Sequence, residues 1–449
     1  MFKKTVVVRI ALVTGGLDTP SADASGYSTT KVIIKQKGIM EEIVVGIDVG
    51  TTKICTLVGR VEDDKSIRIL GVGIEPSDGI RKGIIVDLAA ATQAITRSVK
   101  KAESTSGLEI TSALVSIAGA HVSSVNSRGA TAVNGNVIEQ FDVDHAMEQA
   151  RAVAIPHDRE IIHVIQRGFS VDGQDGIRNP KGMHGYRLEV EAHIITASAA
   201  TVDNLRHCVG AAGVKIQEFV LNPLASGEAV LTDQERQMGV AVCDIGGGTA
   251  DLGIYVNGDV WHTMVLAVGG NHITQDVAHG LRLPFAQAEE VKKQQGYAVR
   301  AEVGPEEYFS VRPFGEDKPV QINRQELAEI IEARVVEIFS LILQEIKRSG
   351  YDGLLPAGIV LTGGTSALPG IKRVAGEVLG MPVRTAQPEN LSGLVDRLKS
   401  PAYSTGVGLL QWVVSMQDSD VSIGRNRRKK GESRMNFSVI KKIVGRILP

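Results

Sequence analysis

The sequence predicts an α/β protein of two related halves, each with a mixed sheet flanked by helices, and a small α+β insertion in the first half. The main observation is a duplication. Two stretches share one order of elements, namely an apolar strand, a glycine-rich tip that begins with Asp, a second strand, a turn and a third strand. A third glycine-rich tip follows an apolar strand near the C-terminus. The strand and helix pattern changes between the two copies, which indicates the insertion.

The first half opens with the apolar run 43–47, and its tip is Asp48-Val49-Gly50-Thr51-Thr52-Lys53. The third strand of this copy is residues 67–72. Apolar residues at three- and four-residue spacing then predict a helix over 87–104. Residues 110–118 predict a strand that completes a βββαβ unit.

The insertion covers residues 119–197. It has strand-like runs at 128–133, 161–171 and 190–196, and one helix at 143–154. A helix at 199–212 and a strand at 214–221 follow and return to the first half.

The second copy follows the helix that Asn222-Pro223-Leu224-Ala225 opens. Its strand leads into Asp244, Gly246, Gly247, Gly248 and Thr249, and Asp251 begins the next strand. Helices are predicted at 272–280 and 285–295, and a long amphipathic helix at 323–349. The strand 359–361 then runs into the third tip, Thr362-Gly363-Gly364-Thr365. A helix at 371–379, a strand at 383–386 and a helix at 403–410 complete the prediction.

The predicted domains can be given by residue number. They are an N-terminal extension at 1–39, with the folded protein opening at Met40; the first half at 40–118, with 198–225 and 391–416 returning to it; the insertion at 119–197; the second half at 226–390, with a small subdomain at about 271–350; a flexible basic linker at 417–435; and an amphipathic helix at 436–449.

The tips carry chemistry suited to a magnesium polyphosphate. Consecutive glycines let the backbone approach a ligand closely and direct several N–H groups at it. Asp48, Asp244 and Asp251 are able to hold a hydrated cation. An ordinary glycine-rich hairpin turn would explain either tip alone, but the ordered repetition favours one ligand shared by both halves.

Composition excludes several classes of protein. Hydrophobic residues make up 43% of the chain and charged residues 22%, as in soluble globular proteins. Aromatic residues are only 4%, which argues against a surface that stacks nucleic-acid bases. Three widely spaced cysteines give neither a disulfide framework nor a zinc spacing. The N-terminus resembles a signal peptide only faintly, since Arg9 interrupts its apolar run.

The C-terminal tail differs in charge from the rest of the chain. Nine Lys or Arg residues and one Glu follow residue 424, a net charge of +8, so the preceding residues carry −10. On a helical wheel the apolar residues after 436 occupy one half and the polar ones the other. This pattern predicts an in-plane anchor on an anionic membrane surface. The residues of that anchor are Ile440, Lys441, Lys442, Ile443, Val444, Arg446, Ile447 and Leu448. Docking of the helix on the protein's own body is the alternative, whereas nucleic-acid binding leaves the apolar half unexplained.

The ordered set of three tips, with the duplicated strand unit, resembles the actin, heat-shock ATPase and sugar-kinase superfamily. The resemblance implies an actin-like ATPase fold in which two halves hold ATP and Mg²⁺. It assigns the first phosphate loop to Asp48, Gly50, Thr51, Thr52 and Lys53, and the second to Asp244, Gly246, Gly247, Gly248 and Thr249. It places Gly363, Gly364 and Thr365 near the adenosine, and Glu289 and Lys292 on the adenine side. It implies that Asp48 and Asp244 hold Mg²⁺ through water, and it assigns no catalytic residue. A solvated helix face is the alternative for Glu289 and Lys292. The segments Asn222–Ala225 and Ser404–Gly408 resemble the two connecting hinges.

Within that superfamily, the chain from Met40 onward resembles the FtsA family of bacterial actin-like cell-division proteins. The position of the insertion, the stretches 251–258 and 359–364, the motif Gly269-Gly270-Asn271 and the basic tail carry this resemblance. It implies a protein that polymerises and anchors the FtsZ ring to the cytoplasmic face of the inner membrane at the division site. The implied partners are FtsZ, bound through the small subdomain, other copies of the chain, an anionic membrane surface and later division proteins, with no nucleic acid.

Two other functions remain open from the sequence. A sugar-type kinase or vigorous ATPase needs a carboxylate base beside an acceptor pocket, and no cluster of acceptor-binding residues is visible. A pilus-assembly ATP-binding adaptor shares the fold and lacks the anchor. ATP binding with at most slow hydrolysis is therefore the expectation.

Overall fold

The computed structural model describes residues 33–36 and 39–424, with side-chain environments from residue 42 to 416. The predicted membrane helix, with Ile440 to Leu448, and most of the predicted linker lie outside the described residues. In the part that is described, no helix is long and apolar enough to cross a membrane.

The secondary structure follows the predicted order. The first half contains β1 (Ile33–Gln36), β2 (Ile39–Val49), β3 (Lys53–Val61), β4 (Ile67–Pro76), β5 (Ile80–Arg81), β6 (Ile84–Ile85), α1 (Leu88–Ser106) and β7 (Ser112–Ile117). The insertion contains β8 (Ser123–Ala132), α2 (Gln140–Arg151), β9 (Arg159–Val171), β10 (Gln174–Ile177) and β11 (Arg187–Ser198). After it come α3 (Ala199–Ala211), β12 (Lys215–Leu221), α4 (Asn222–Val230) and α5 (Asp233–Met238).

The second half carries its own sheet and the long helix. Its elements are β13 (Val240–Ile245), β14 (Ala250–Val256), β15 (Asp259–Leu266), α6 (Gly270–Gly280), α7 (Phe285–Gln295), β16 (Tyr308–Val311), β17 (Val320–Asn323), α8 (Arg324–Ser349), β18 (Ile359–Thr362), α9 (Ile371–Leu379) and β19 (Val383–Thr385). The chain continues through β20 (Leu391–Gly393) and α10 (Ser404–Gly424).

The two main sheets share one topology, as the duplication predicts. The first has the order β12-β7-β2-β3-β4-β20, and the second β15-β14-β13-β18-β19. In each, three consecutive antiparallel strands are extended by two parallel strands, β7 and β12 in the first sheet and β18 and β19 in the second. β20 adds to the first sheet, where it pairs in parallel with β4.

Capping residues determine where the helices begin and end, and apolar stripes determine which face of each helix is buried. The Asp87 side chain accepts a hydrogen bond of 3.0 Å from the Ala90 N–H at the start of α1, and left-handed Gly107 ends the helix. α8 is capped by Asn323 and ends at left-handed Gly350. It buries a stripe in the apolar core of the second half, comprising Leu327, Ile331, Val335, Ile338, Phe339 and Ile342. Each such side chain contributes about 1.5–3 kcal/mol by leaving water.

The insertion is a separate four-stranded sheet, of order β10-β9-β11-β8, with α2 on one face and its own apolar core. It enters and leaves through neighbouring strands, since Ser123 at the start of β8 pairs with Thr196 near the end of β11.

The structure differs from the sequence predictions at both ends of the described chain. β1 lies before Met40 and pairs with the start of β2. α10 continues to Gly424, inside the stretch 417–435 that we predicted as a flexible linker. That expectation is wrong for residues 417–424, because a helix that is already formed extends at little cost even through polar residues. The described residues up to Trp412 form one compact unit, and Val413 to Gly424 belong to another.

Candidate functional site

The two glycine-rich tips have the same local geometry. The Gly50 N–H donates to the Lys53 carbonyl at 3.1 Å, and the Gly246 N–H donates to the Thr249 carbonyl at 2.9 Å. Each tip therefore turns the chain between two antiparallel strands and leaves its remaining N–H groups at the end of a sheet.

The tips of the two halves lie in contact. A Cβ on Gly247 would overlap the Thr52 side chain, and a Cβ on Gly248 would come within 2.6 Å of the Thr51 Oγ1. Only glycine allows this approach. The β5–β6 turn lies over the same point, because the Gly83 N–H donates to the Thr51 Oγ1 at 3.2 Å and the Lys82 Cα would lie 3.0 Å from the same Gly248 Cβ.

Asp48 is held at the end of β2 by a neighbouring strand. Ser116, in β7, donates to the Asp48 Oδ1 at 3.0 Å and accepts from the Val49 N–H at 2.9 Å. Burial raises the pKa of Asp48, although the Lys53 charge and the Ser116 hydrogen bond oppose the rise.

Asp244 occupies the corresponding place in the second half. Thr405 donates to its Oδ2 at 2.7 Å. Burial raises the pKa of Asp244 to about 6; the Thr405 hydrogen bond opposes this rise and the Asp48 charge adds to it.

Asp251 lies opposite Asp244 on β14, and its Oδ2 accepts from Thr249 at 3.0 Å and Asn222 at 3.4 Å. Burial and then repulsion by Asp244 raise the pKa of Asp251 well above its usual range.

This cluster of carboxylates fits a hydrated cation. Asp48, Asp244 and Asp251 are each at most 6% exposed and repel one another electrostatically. The Asp251 Oδ1 has no hydrogen-bond partner among the described residues. Across the same part of the chain, no group of three or more His, Cys, Asp or Glu side chains is arranged to hold a metal ion directly. The donor set therefore suits Mg²⁺ that keeps its water ligands.

Lys53 joins the first tip to the loop before α10. Its Nζ donates to the Ala402 carbonyl and lies 5.0 Å from the centre of the Tyr403 ring. The neighbouring Pro401 carbonyl accepts from the Gly363 N–H at 3.1 Å. Lys53 thus contacts the loop 401–403, which is itself hydrogen-bonded to Gly363 of the third tip.

The third tip closes against the second. Gly363 has a φ of 83°, and a Cβ there would overlap the Asp244 carboxylate. The Thr365 Oγ1 donates to the Gly246 carbonyl at 2.9 Å. Gly364 is more open, since its nearest neighbour would be the Ala402 Cβ at 3.6 Å.

Glu289 and Lys292 face this third tip. They form an ion pair at 2.6 Å, and the Lys292 Nζ also donates to the Gly270 carbonyl at 3.1 Å. A Cβ on Gly270 would touch the Thr365 side chain, which places the pair beside the tip. The side chains of Lys292 and Glu289 are 12% and 23% exposed, so the alternative of a plain solvated helix face is wrong. Burial acts to raise the pKa of Glu289, but the Lys292 charge and hydrogen bonds bring it below its usual value.

The two predicted hinges cross each other. A Cβ on Gly408 would overlap the Ala225 carbonyl, so α4 and α10 touch backbone to backbone. α10 also packs on the first sheet, where Leu409 lies against Gly46. The structure therefore brings the three tips, the ion pair and both hinges to one region between the sheets.

Sequence reasoning missed three residues of the site. Ser116 orients Asp48, and Thr405 orients Asp244 from within a predicted hinge. Neither has a local sequence signal, because a Ser in a strand and a Thr at a helix start are common. Asn222, which donates a hydrogen bond to Asp251, was predicted only as part of a hinge.

Comparison with known proteins agrees with this architecture. The model of the family "Cell division protein FtsA" matches residues 241–408, and that of the "SHS2 domain inserted in FTSA" matches residues 119–196. The cell division protein FtsA of Pseudomonas aeruginosa is 40% identical over 382 residues, which cover 85% of this chain and 92% of that protein. The chain belongs to the FtsA family. The Bacillus subtilis FtsA is also 40% identical, over 83% of each chain, and the Escherichia coli K12 FtsA is 36% identical over 84% of this chain and 91% of its own.

Solved structures of other families share the actin-like fold with this FtsA-family chain. A PilM–PilN type IV pilus biogenesis complex matches with a TM-score of 0.59 at 15% identity, covering 82% of this chain and 98% of that one. MreB5 of Spiroplasma citri bound to ADP matches with a TM-score of 0.51 at 14% identity, covering 85% and 98%. At these identities the matches show the fold alone, so the pilus complex does not favour the adaptor alternative over the FtsA family.

Proposed function

We propose that this FtsA-family protein binds Mg-ATP between its two phosphate loops. The observation that carries the proposal is the contact of the two tips beside two buried aspartates, Asp48 and Asp244, one from each half. Thr51 and Thr52 of the first tip offer hydroxyl donors to phosphate oxygens, and Gly247 to Thr249 of the second tip offer N–H donors. Fold neighbours support the nucleotide, since MreB5 of Spiroplasma citri was solved with ADP and with AMPPNP.

Each group of the site has a role in this proposal. Asp48 and Asp244 would hold Mg²⁺ through its water ligands, and its positive charge would offset the repulsion between the two carboxylates. Lys53 and the Gly50 turn complete the first phosphate loop. Gly363, Gly364 and Thr365 border the nucleoside, and the ion pair of Glu289 and Lys292 closes its adenine side.

The test is equilibrium binding of a fluorescent ATP analogue, with and without Mg²⁺. We expect Asp244→Asn to weaken magnesium-dependent binding by at least about tenfold, since it removes the negative charge that strengthens the hydrogen bonds at this site, and a hydrogen bond to a charged group contributes about 1.5–3 kcal/mol. The matched control is Asp63→Asn, the same change at an exposed turn residue. Equal affinity of the Asp244 variant and the wild type would refute the site.

We further propose that the protein polymerises and links the FtsZ ring to the cytoplasmic face of the inner membrane, where it helps recruit later division proteins. FtsA family membership supports this role, and the basic amphipathic pattern after residue 436 supports the membrane contact. On the family resemblance, FtsZ binds the small subdomain at about 271–350.

The membrane contact is tested by co-sedimentation of the full chain with anionic liposomes. Ile443→Glu together with Ile447→Glu places two charges on the apolar half of the predicted helix, and we expect binding to be lost. Ser438→Glu together with Gly445→Glu adds the same charge to the polar half. That control should weaken binding only moderately, because each charge near the surface is worth about 1 kcal/mol. Retention of the first variant on liposomes would refute the anchor.

A further inference from the structure

The inserted domain, although part of the first half, is hydrogen-bonded to the outermost strand of the second sheet. The Ser124 Oγ donates to the Thr263 carbonyl at 3.0 Å, and the His193 Nε2 lies 2.9 Å from the Thr263 Oγ1. The Arg178 Nη2 donates to the Asn257 carbonyl, in the turn before β15, at 2.6 Å. Strand β15 therefore contacts a domain that belongs to the opposite half.

A buried arginine lies at the centre of this contact. The Arg167 guanidinium carbon is 4.2 Å from the centre of the Trp261 ring and 5.9 Å from that of Tyr351, and its Nη2 donates to the Tyr351 hydroxyl at 3.1 Å. The two rings meet edge to face at 5.4 Å. Arg167 is only 7% exposed, and its Nε has no hydrogen-bond partner among the described residues. Contact with the aromatic rings and the charge of nearby Asp259 therefore both stabilise the guanidinium. We call Arg167, Trp261 and Tyr351 the clasp.

The strand that carries Arg167 also touches both hinges. His163, four residues earlier in β9, accepts a hydrogen bond of 3.2 Å from the Leu221 N–H, directly before α4. The His163 ring lies 5.7 Å from the ring of Trp412 in α10. One end of β9 thus rests on the hinge helices, and the clasp lies further along the same strand.

The strand that carries Trp261 leads to the second phosphate loop. β15 pairs with β14, in which Thr263 is opposite Gly253 and Val265 is opposite Asp251. After β15 the chain reaches Gly270 and Asn271, whose N–H groups donate to the Gly246 and Gly247 carbonyls at 3.0 and 2.8 Å. A shift of the second phosphate loop relative to the first half therefore moves β15 against the inserted domain.

We propose that the clasp couples the nucleotide cleft to the inserted domain: it is formed when the phosphate loops are in contact and opens when the halves separate. The inference rests on the proposed nucleotide binding. Separation of the halves about the crossing of α4 and α10 moves Trp261 and Tyr351 away from Arg167. Because coupling is reciprocal, a nucleotide that holds the loops together stabilises the clasp, and the clasp strengthens nucleotide binding. Affinity differences among variants of one site lie mostly in the dissociation rate, so the clasp slows nucleotide release.

The sequence offers a direct reporter, because Trp261 and Trp412 are its only tryptophans. In the full chain with Trp412→Phe, all tryptophan emission comes from the clasp. We expect Trp261 to become more accessible to acrylamide, with red-shifted emission, when Mg-ATP is removed. Unchanged quenching, in a sample where binding of the ATP analogue is measured, would overturn the coupling and leave the proposed function intact.

The second arm measures dissociation of the fluorescent ATP analogue from clasp variants. We expect Arg167→Ala to speed dissociation by at least about fivefold, the lower end of common allosteric coupling. Tyr351→Phe keeps the ring and loses the hydroxyl, so its effect should be smaller and in the same direction. The control is Arg128→Ala, an exposed arginine of the same domain that pairs with Glu191. Wild-type dissociation rates in both clasp variants would overturn the inference, whereas failure of the wild type to bind nucleotide would overturn the proposed function as well.

Discussion

Thr405, in the helix that packs on the first sheet, donates a 2.7 Å hydrogen bond to Asp244 at the end of the second sheet. The carboxylate of one half is thus oriented by a hinge segment that rests on the other half. The contact links the relative position of the halves to the geometry of the predicted magnesium site.

Thr405→Val should weaken Mg-ATP binding by at least about tenfold, because a hydrogen bond to a charged group contributes about 1.5–3 kcal/mol. Valine preserves the shape of the side chain and removes its donor. Since the Thr405 hydrogen bond lowers the pKa of Asp244, its loss also raises that pKa further. Titration with a fluorescent ATP analogue measures the effect. Thr405→Ser keeps the hydroxyl and should bind almost normally, and a valine variant that matched the serine variant would contradict the role of the bond.

Because its carboxylates are buried, we expect the nucleotide-free protein to be more stable against unfolding at acidic pH than at neutral pH. Burial raises the pKa of Asp244 to about 6 in the folded protein, against an ordinary value of 3.8. Its stabilising contribution is therefore complete below pH 3.8 and is lost as the pH rises through about 6, a change of about 3 kcal/mol. Calorimetry from pH 4.5 to 7.5 should show Asp244→Asn melting above the wild type at pH 7 and the difference shrinking towards pH 4.5. A difference independent of pH would contradict the raised pKa.

The crossing of the hinges should not tolerate a side chain at Gly408. A Cβ there overlaps the Ala225 carbonyl, so Gly408→Ala must push α4 and α10 apart, at a cost of about 1–3 kcal/mol or more. Gly376→Ala is the matched control within α9, where the nearest atom would lie 3.9 Å away. Removing that helical glycine should stabilise by about 0.5–1 kcal/mol. Melting temperatures that moved in the same direction in both variants would refute the close crossing.

Substitutions of two adjacent lysines, Lys292 and Lys293, should differ sharply in their effect on stability and nucleotide affinity. Lys292 is 12% exposed and bonds Glu289 and the Gly270 carbonyl, whereas Lys293 pairs with Glu289 but is 69% exposed. Lys292→Met should cost about 2 kcal/mol of stability and lower nucleotide affinity, since it leaves buried acceptors without their donor. Lys293→Met should cost less than about 1 kcal/mol. Chemical denaturation and nucleotide titration on the two variants check this, and equal losses would count against the adenine-side role of Lys292.

Elements with a strong local pattern were predictable from the sequence. α7 and α9 have the predicted bounds 285–295 and 371–379, and both phosphate-loop tips lie where Asp-Gly-Thr patterns follow apolar strands. The short helix α5 was missed although Thr232 and Glu235 form a capping box, so its signal was present in the sequence.

The contacts that orient the site were not predictable in the same way. Ser116 and Asp48 are 68 residues apart, and Thr405 and Asp244 are 161 apart. Hydrogen bonds over such separations depend on how the sheets and hinges pack, and a single sequence does not record that packing. The same reason hid the Arg167 contacts, because Arg in a strand usually marks a solvated face.

The meeting of Ser123 and Thr196 at the base of the inserted domain has an evolutionary consequence. A module whose two ends emerge side by side can be gained, lost or exchanged by a single replacement of sequence, without lengthening any connection in its host. Only the residues of the rest of the protein that contact the inserted domain would have to change with it. For this chain those residues include strand β15, Tyr351, and Leu221 and Trp412, which His163 contacts at the hinges, so variation in the module is expected to be accompanied by change at these positions.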